Sequence, residues 1–255
     1  MAGNDTQCAR CDGSRIVTEL VFRDDAYARD CEATVVRVNE RGGIVLDRTV
    51  FYATSGGQPG DKGTLSIAGR DIAIITTVYD EAKNVVHVPA TPVDGSITTG
   101  QKVLATLDWA NRYRNMRCHT LMHLLCATVP FPVTGSAITE DGGRIDFDIP
   151  EGQIPNKEDL GVQINALIRE DHKVSFRWIT DEEMDANPDL VRTMFVKPPR
   201  GQGKVRLVLI GDSGKVDLQP CGGTHLNSTS EIGPIAVAKI ENKGKINRRI
   251  RLVFA

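Results

Sequence analysis

His119, His123, Cys221 and His225 are of the types that bind a transition metal, and they occur as two closely spaced pairs. The first pair ends the segment His119-Thr120-Leu121-Met122-His123. On a helix, positions i and i+4 share a face about 5–6 Å apart at Cβ, so two imidazoles can reach one ion. The spacing is that of HExxH zinc hydrolases, but Thr120 stands where their general-base glutamate would be. The second pair ends Cys221-Gly222-Gly223-Thr224-His225, where two glycines let the chain fold back so that thiolate and imidazole converge. Alone, HxxxH reads as readily as two buried helix histidines bonded to carbonyls. Together the two motifs take three of the five histidines and complete the four ligands of a tetrahedral site. Nitrogen and sulfur donors select zinc over Mg²⁺ or Ca²⁺, so one Zn²⁺ per chain is expected. Four protein ligands ordinarily mark a closed structural site, which is in tension with catalysis.

The elements that must position these residues are legible in outline. Asp108 can cap a helix running from there without Gly or Pro to Pro130, with Met116, Leu121, Leu124, Leu125 and Ala127 at helical spacing. A second helix is predicted over Lys157–Asp171, capped by Asn156, and Thr180 with Glu183 forms a capping-box pattern for a third. Strands are predicted at 137–138, 144–149, 174–178, 205–210, 216–218, 235–240 and 250–254. Before Asp108 the texture differs: β-branched runs at 33–38, 43–46, 48–52 and 72–78 are separated by turns such as Arg41-Gly42-Gly43 and Asp94-Gly95. Short strands with close turn signals suggest a small antiparallel barrel or sandwich. A short helix is expected near Asp24–Ala28. The fold class is therefore α+β, with a β domain over 1–105 and a mixed domain over 106–255.

Two further stretches bear on function. Phe51-Tyr52 leads into Ser55-Gly56-Gly57-Gln58-Pro59-Gly60-Asp61-Lys62-Gly63, which matches neither a P-loop nor GxGxxG. It reads as a hairpin loop whose bare backbone suits close approach to a ligand or to another domain. Near the C-terminus Lys239, Lys243, Lys245, Arg248, Arg249 and Arg251 stand against Glu241 alone. Such a run reads equally as a solvated face or as a phosphate-binding surface. Arg112, Arg114 and Arg117 could extend it as a basic rim beside the metal ligands, suited to a polyanion.

Composition excludes several classes. Lys plus Arg number 31 against 33 Asp plus Glu, a net charge of -2 over 255 residues, so a globally basic nucleic-acid coat is ruled out. No apolar run reaches the ~20 residues of a membrane span, and the first fifteen residues lack the apolar core of a secretory signal, so a cytoplasmic protein with no membrane partner is expected. Six cysteines are too few for a disulfide scaffold, and Cys8-x-x-Cys11 has no second CxxC to complete a four-cysteine knuckle.

The helix HxxxH, the later CGGTH and the upstream SGGQPGDKG together resemble the editing region of alanyl-tRNA synthetase, and more closely the free-standing AlaX proteins that edit in trans. The closing VDLQPCGGTHLNSTSEIGPIAVAKIENKGKINRRIRL is especially similar. The resemblance runs from about Ala33 to the C-terminus; the first ~30 residues have no counterpart. It implies a small antiparallel β-barrel joined to an α+β editing domain with helices packed on an antiparallel sheet. It further implies one zinc ion on His119, His123, Cys221 and His225, and hydrolysis of tRNA(Ala) wrongly charged with serine or glycine. Thr134 on a strand, and Gly56, Gly57 and Gln58, are implied at the aminoacyl group. Lys245, Arg248 and Arg249 are expected at the tRNA. Met122 departs from the smaller residue usual at its position, which should alter packing and not ligation. A non-catalytic zinc-containing tRNA-binding module is the alternative.

Overall fold

The computed structural model describes residues 18–93, 95–139, 141–187 and 204–255. Cys8, Cys11, Asp94 and Glu140 lie outside them. Before the first long helix come β1 (Glu19–Leu20), β2 (Asp30–Val38), β3 (Ile44–Leu46), β4 (Arg48–Thr49), β5 (Gly63–Ile67), β6 (Arg70–Tyr79), β7 (Val85–Pro89) and β8 (Lys102–Leu107). A closed antiparallel barrel runs β2-β3-β7-β6-β5-β8. Pairing of β8 with both β2 and β5 closes it and removes the exposed edges a sandwich would keep. Val35, Ile44, Leu46, Leu65, Ile74, Val103 and Ala105 belong to its core. The segment expected as a strand over 48–52 is strand only at Arg48–Thr49, paired in parallel with β1. No α-helix forms near Asp24–Ala28. A 3-10 turn covers Val21–Arg23, and the Asp25 carboxylate then accepts from Tyr27 N at 2.8 Å, a local bond that competes with a helix.

His87 on β7 is wholly buried. Its Nδ1–H donates to the Ile44 carbonyl (2.9 Å), and its Nε2 accepts from the Thr49 hydroxyl (2.8 Å). Burial pushes it down to about 4, so the fold holds it neutral.

The first helix, α1 (Trp109–Thr128), starts where Asp108 accepts from Asn111 N at 3.1 Å. It is followed by β9 (Val133–Thr139), β10 (Gly142–Asp148), α2 (Lys157–Arg169), β11 (Val174–Thr180), α3 (Asp181–Asp185), β12 (Lys204–Ile210), β13 (Asp217–Pro220), β14 (Ile235–Asn242) and β15 (Asn247–Phe254). The expected caps are in place: Asn156 accepts from Glu158 N and Asp159 N, and Thr180 and Glu183 bond reciprocally. A four-stranded antiparallel sheet has the order β14-β15-β10-β9, and a three-stranded one the order β11-β12-β13. Instead of burying one apolar stripe, α1 is buried on every side from Cys118 to Cys126. It packs against the four-stranded sheet, α2 and β13, and the barrel's Gly-rich loop reaches its Arg112 and His119.

The link from barrel to helix is charged and buried. Arg112 on α1 is 0% exposed and so is Asp61 in the Gly-rich loop. The guanidinium Nε donates to both carboxylate oxygens (3.2 and 3.0 Å), one Nη to the Ala26 carbonyl (2.9 Å), and the other to the Val50 carbonyl (2.5 Å) and to Asp61. Tyr52 N adds a further bond to Asp61 at 2.6 Å. Arg112 is thus no part of a basic rim; its position about two helical turns before His119 directs it into the barrel junction.

Two outcomes follow for stability. Arg112→Met leaves Asp61 charged and buried without its partner and should cost about 3–5 kcal/mol in urea unfolding, whereas Arg112→Met with Asp61→Leu should recover part of that. The second concerns acid. Because the folded state holds His87 at about 4 against an ordinary 6.5, the unfolded chain takes up a proton between these values that the fold refuses. Stability should therefore fall as pH drops from about 6.5 to about 4, by roughly 3 kcal/mol from this group. Unfolding free energies of His87→Gln across that range should lack this component.

Candidate metal centre and its surroundings

His119 and His123 on α1 meet Cys221 and His225 from the loop after β13, with the four ligand atoms all within 4.8 Å of one another. Cys221 Sγ lies 3.4 Å from His119 Nε2 and 3.3 Å from His225 Nε2. A tetrahedral ion at ordinary Zn–N and Zn–S lengths needs N···S edges of about 3.5 Å. The donor set and spacing therefore fit one tetrahedral metal ion.

Each imidazole is turned by a bond to its other nitrogen. His119 Nδ1 donates to Gln58 Oε1 (2.8 Å), and His123 Nδ1 donates to Asp217 Oδ2 (2.7 Å). His225 Nδ1 faces the Thr120 hydroxyl at 3.4 Å, which also accepts from Leu226 N at 3.1 Å. Tying down Nδ1 fixes the tautomer and leaves Nε2 for the ion, as carboxylate–histidine–metal arrangements do. Thr120, at the position of the missing glutamate, thus supports a ligand. Burial opposes ionisation of Cys221, but His119 and His225 overcome it and hold the thiol well below its ordinary range. Burial also opposes a charge on His123, yet Asp217 and Cys221 raise it to about 10. Burial and the neighbouring His119 keep His225 well below its usual value. By contrast burial alone drives Cys118 up to about 12, an inert packing thiol. A divalent ion would take the place of the proton that the thiolate and Asp217 hold on His123.

The Gly-rich loop completes the surroundings. Ser55 and Gln58 bond to each other's backbone in both directions, at 3.1 and 2.9 Å, across Gly56 (φ +55°) and Gly57 (φ +85°). Two consecutive positive φ values are what a tight primed hairpin turn demands, hence Gly-Gly. The turn carries the Gly57 carbonyl to Ile138 N (2.9 Å), and a Cβ on Gly57 would come within 2.7 Å of Ser136 O. It also delivers Gln58, 1% exposed, whose Nε2 donates to the Thr224 hydroxyl (2.8 Å) and whose Oε1 accepts from Thr224 N (3.2 Å). Gly223 allows this approach, since a Cβ there would overlap the His119 ring.

The structure brings together His119, His123, Cys221, His225 and Gln58, with Gly56 and Gly57 in the adjoining turn. It does not bring Thr134 to them by any hydrogen bond. The Thr134 hydroxyl donates to the Asp146 carbonyl (3.1 Å) and accepts from Asn247 (2.6 Å), which leaves one lone pair; Ser136, further along β9, is the hydroxyl beside Gly56. The basic segment is largely put to internal use. Arg248, 5% exposed, donates to Asn242 and to the carbonyls of Gly244, Lys245 and Asn247, so it builds the β14–β15 turn and is not available to phosphate. Arg249 pairs twice with Asp146 at 2.7 Å, while Lys245 is exposed. Nor does the arginine rim form: besides Arg112, Arg117 donates to the Ile232 carbonyl and stacks on Phe254, and Arg114 bonds Asn111. Asp217 and Gln219, whose Nε2 donates to Asp217 Oδ2 at 2.8 Å, went unassigned in the sequence. Their signal was there: Asp217, Gln219 and Cys221 alternate, as residues on one face of a strand do.

The chain is similar to known proteins along most of its length. Residues 22–111 match the family model described as tRNA synthetases class II (A), and residues 205–251 match the threonyl and alanyl tRNA synthetase second additional domain. The chain is 33% identical over 243 residues to alanyl-tRNA editing protein AlaX-M of Methanosarcina acetivorans, a match covering 92% of this chain and 98% of that protein. It is 31% identical over 242 residues to AlaX-M of Saccharolobus solfataricus, again covering 92% and 98%. It is also 33% identical over 235 residues to an alanine–tRNA ligase of Pyrobaculum neutrophilum, covering 88% of this chain and 25% of the ligase.

Chain purified without chelator should carry about one metal ion, and Cys221→Ala or His123→Ala should lose it. Asp217→Asn should keep the four ligands yet weaken binding about 10–100-fold, read by competition with a chromogenic chelator. Retention of the ion by Cys221→Ala would exclude the tetrahedral set.

Proposed function

We infer the activity of this chain from its family: it belongs to the AlaX alanyl-tRNA editing proteins. It is an aminoacyl-tRNA deacylase that hydrolyses, in trans and in the cytoplasm, the ester of tRNA(Ala) carrying serine or glycine. The observation that carries this reading is the cluster of His119, His123, Cys221 and His225, with a hydrogen-bond partner at every Nδ1 and every Nε2 left for an ion. The ion is Zn²⁺ on donor chemistry, three imidazoles and a thiolate. When bound, zinc supplies a Lewis acid for the ester or for a serine hydroxyl. The protein's own residues hold the ligands: Gln58 and Asp217 orient the two helix histidines, and Thr120 the third. We assign the domain over 1–105, whose described part holds most of the barrel, to carrying the Gly-rich loop, and 106–255 to the deacylase domain.

The task explains why a separate site is needed. A pocket for alanine cannot exclude the smaller glycine, and it rejects the added hydroxyl of serine only weakly. A second site sorts the products instead. Four protein ligands favour the other reading, a non-catalytic zinc-containing tRNA-binding module, and an assay separates the two.

Incubated with tRNA(Ala) charged with serine, glycine or alanine, the chain should release serine or glycine and spare alanine, and Cys221→Ala should release none. Equal, uncatalysed rates for all three with tRNA still bound would favour the binding module. Thr134→Val tests the serine contact. Since its hydroxyl serves Asp146 and Asn247, its loss should cost about 1 kcal/mol of stability and slow both substrates by a similar factor. A loss confined to the seryl ester would return Thr134 to the serine contact.

A further inference from the structure

The three-stranded sheet has one closed and one half-open face. On the closed face Ile179, Val205 and Leu207 pack with Met184 of α3. On the other, strand alternation aligns Phe176 and Trp178 of β11 with Arg206 and Lys204 of β12 and with Cys221 just beyond β13. Val174, Val208 and Ile210 at one end of this face enter the main core. At the other end Phe176 and Trp178 remain 38% and 37% exposed. A groove there is lined by Arg23, Trp178, Lys204, Arg206, Cys221 and Gly222, so it opens directly beside a metal ligand. Among the described residues lining it, the charged side chains are three cations and no anion, in a chain whose net charge is -2. Arg206 joins the aromatic wall to the ligand loop: its guanidinium lies 4.5 Å over Phe176, and its Nη1 donates to the carbonyls of Cys221 (3.2 Å) and Gly223 (3.0 Å).

An exposed indole in a cationic groove is the surface that a single-stranded nucleotide end requires, π area for the base and positive charge for the phosphate. The position fits as well. The scissile ester sits on the terminal ribose, so with the ester at the ligand cluster the terminal base and its phosphate lie within one nucleotide of Cys221. We propose that this groove is the subsite for the 3′-terminal adenosine of the charged tRNA, its base stacked on Trp178 and its phosphate held by Lys204 and Arg23. The proposal rests on the deacylase reading and adds to it the binding of the nucleotide, which the ligand cluster by itself does not provide.

Steady-state deacylation of seryl-tRNA(Ala) tests it. Trp178→Ala should raise KM about tenfold or more with kcat within about twofold, and Trp178→Phe should restore most of the affinity. Metal content and thermal midpoint should be unchanged in both. An unchanged KM, or a fall in kcat alone with metal retained, would overturn the subsite. Should Trp178→Ala fail to fold, Trp109→Phe leaves Trp178 as the one fluorophore of its kind, for titration with uncharged tRNA. Quenching should occur with an intact 3′ end and vanish with tRNA lacking the terminal adenosine; equal quenching by both, or none, would reject the assignment. A wild-type chain that hydrolyses no charged tRNA would sink the deacylase reading, while the titration would still decide the groove.

Discussion

The buried pair of Arg112 and Asp61 is the constraint on which the remaining architecture depends. A guanidinium and a carboxylate taken fully out of water lose several kcal/mol of hydration each, and only near-complete hydrogen bonding offsets that loss. Here the guanidinium reaches Asp61 and two backbone carbonyls, Ala26 and Val50, which come from separate stretches of the N-terminal half. The pair is therefore satisfied in one arrangement only, with α1 docked against the barrel and the Gly-rich loop folded between them. Apolar packing alone would tolerate sliding of the helix along the barrel wall; a fixed set of donors and acceptors does not.

That docking reaches the candidate metal ligands through three residues of loop. Asp61 anchors one end of the segment, the Gly56–Gly57 turn closes the other against β9, and Gln58 is left facing His119. The barrel thereby enters the centre as a support for a ligand. His123 depends likewise on Asp217 of β13, and His225 on Thr120 of α1, so every imidazole is held by an element other than its own. Such cross-bracing sets ring orientation to the tolerance that metal coordination requires. It also explains why α1 lacks the one-sided apolar stripe of a surface helix: sheet, loop and second sheet each claim a face.

The ligand loop faces two ways. Inward, Thr224 and Gly223 pack on Gln58 and His119; outward, the Cys221 and Gly223 carbonyls are bridged by Arg206, whose guanidinium also lies over Phe176. The centre and the aromatic groove beside it are two sides of one loop, so its placement sets both together.

By itself the sequence determined what is local. Caps at Asp108, Asn156 and Thr180 are decided by bonds spanning two or three residues, and they appear where spacing puts them. HxxxH and CxxxH each define a pair by chain geometry alone, and β-branched runs broken by glycine define short strands. Strands of mixed composition, GTLSI and KVLATL, carry no such mark and exist because the barrel pairs them to each other. Tertiary structure alone decided which polar groups are buried. Arg112 looks like any surface arginine until Asp61, distant in the chain, takes it inside. Arg248 looks like a phosphate ligand until the β14–β15 turn surrounds it with carbonyls. A charged side chain's role follows from its partners in space, and desolvation and pairing act over a few ångströms whatever the separation along the chain.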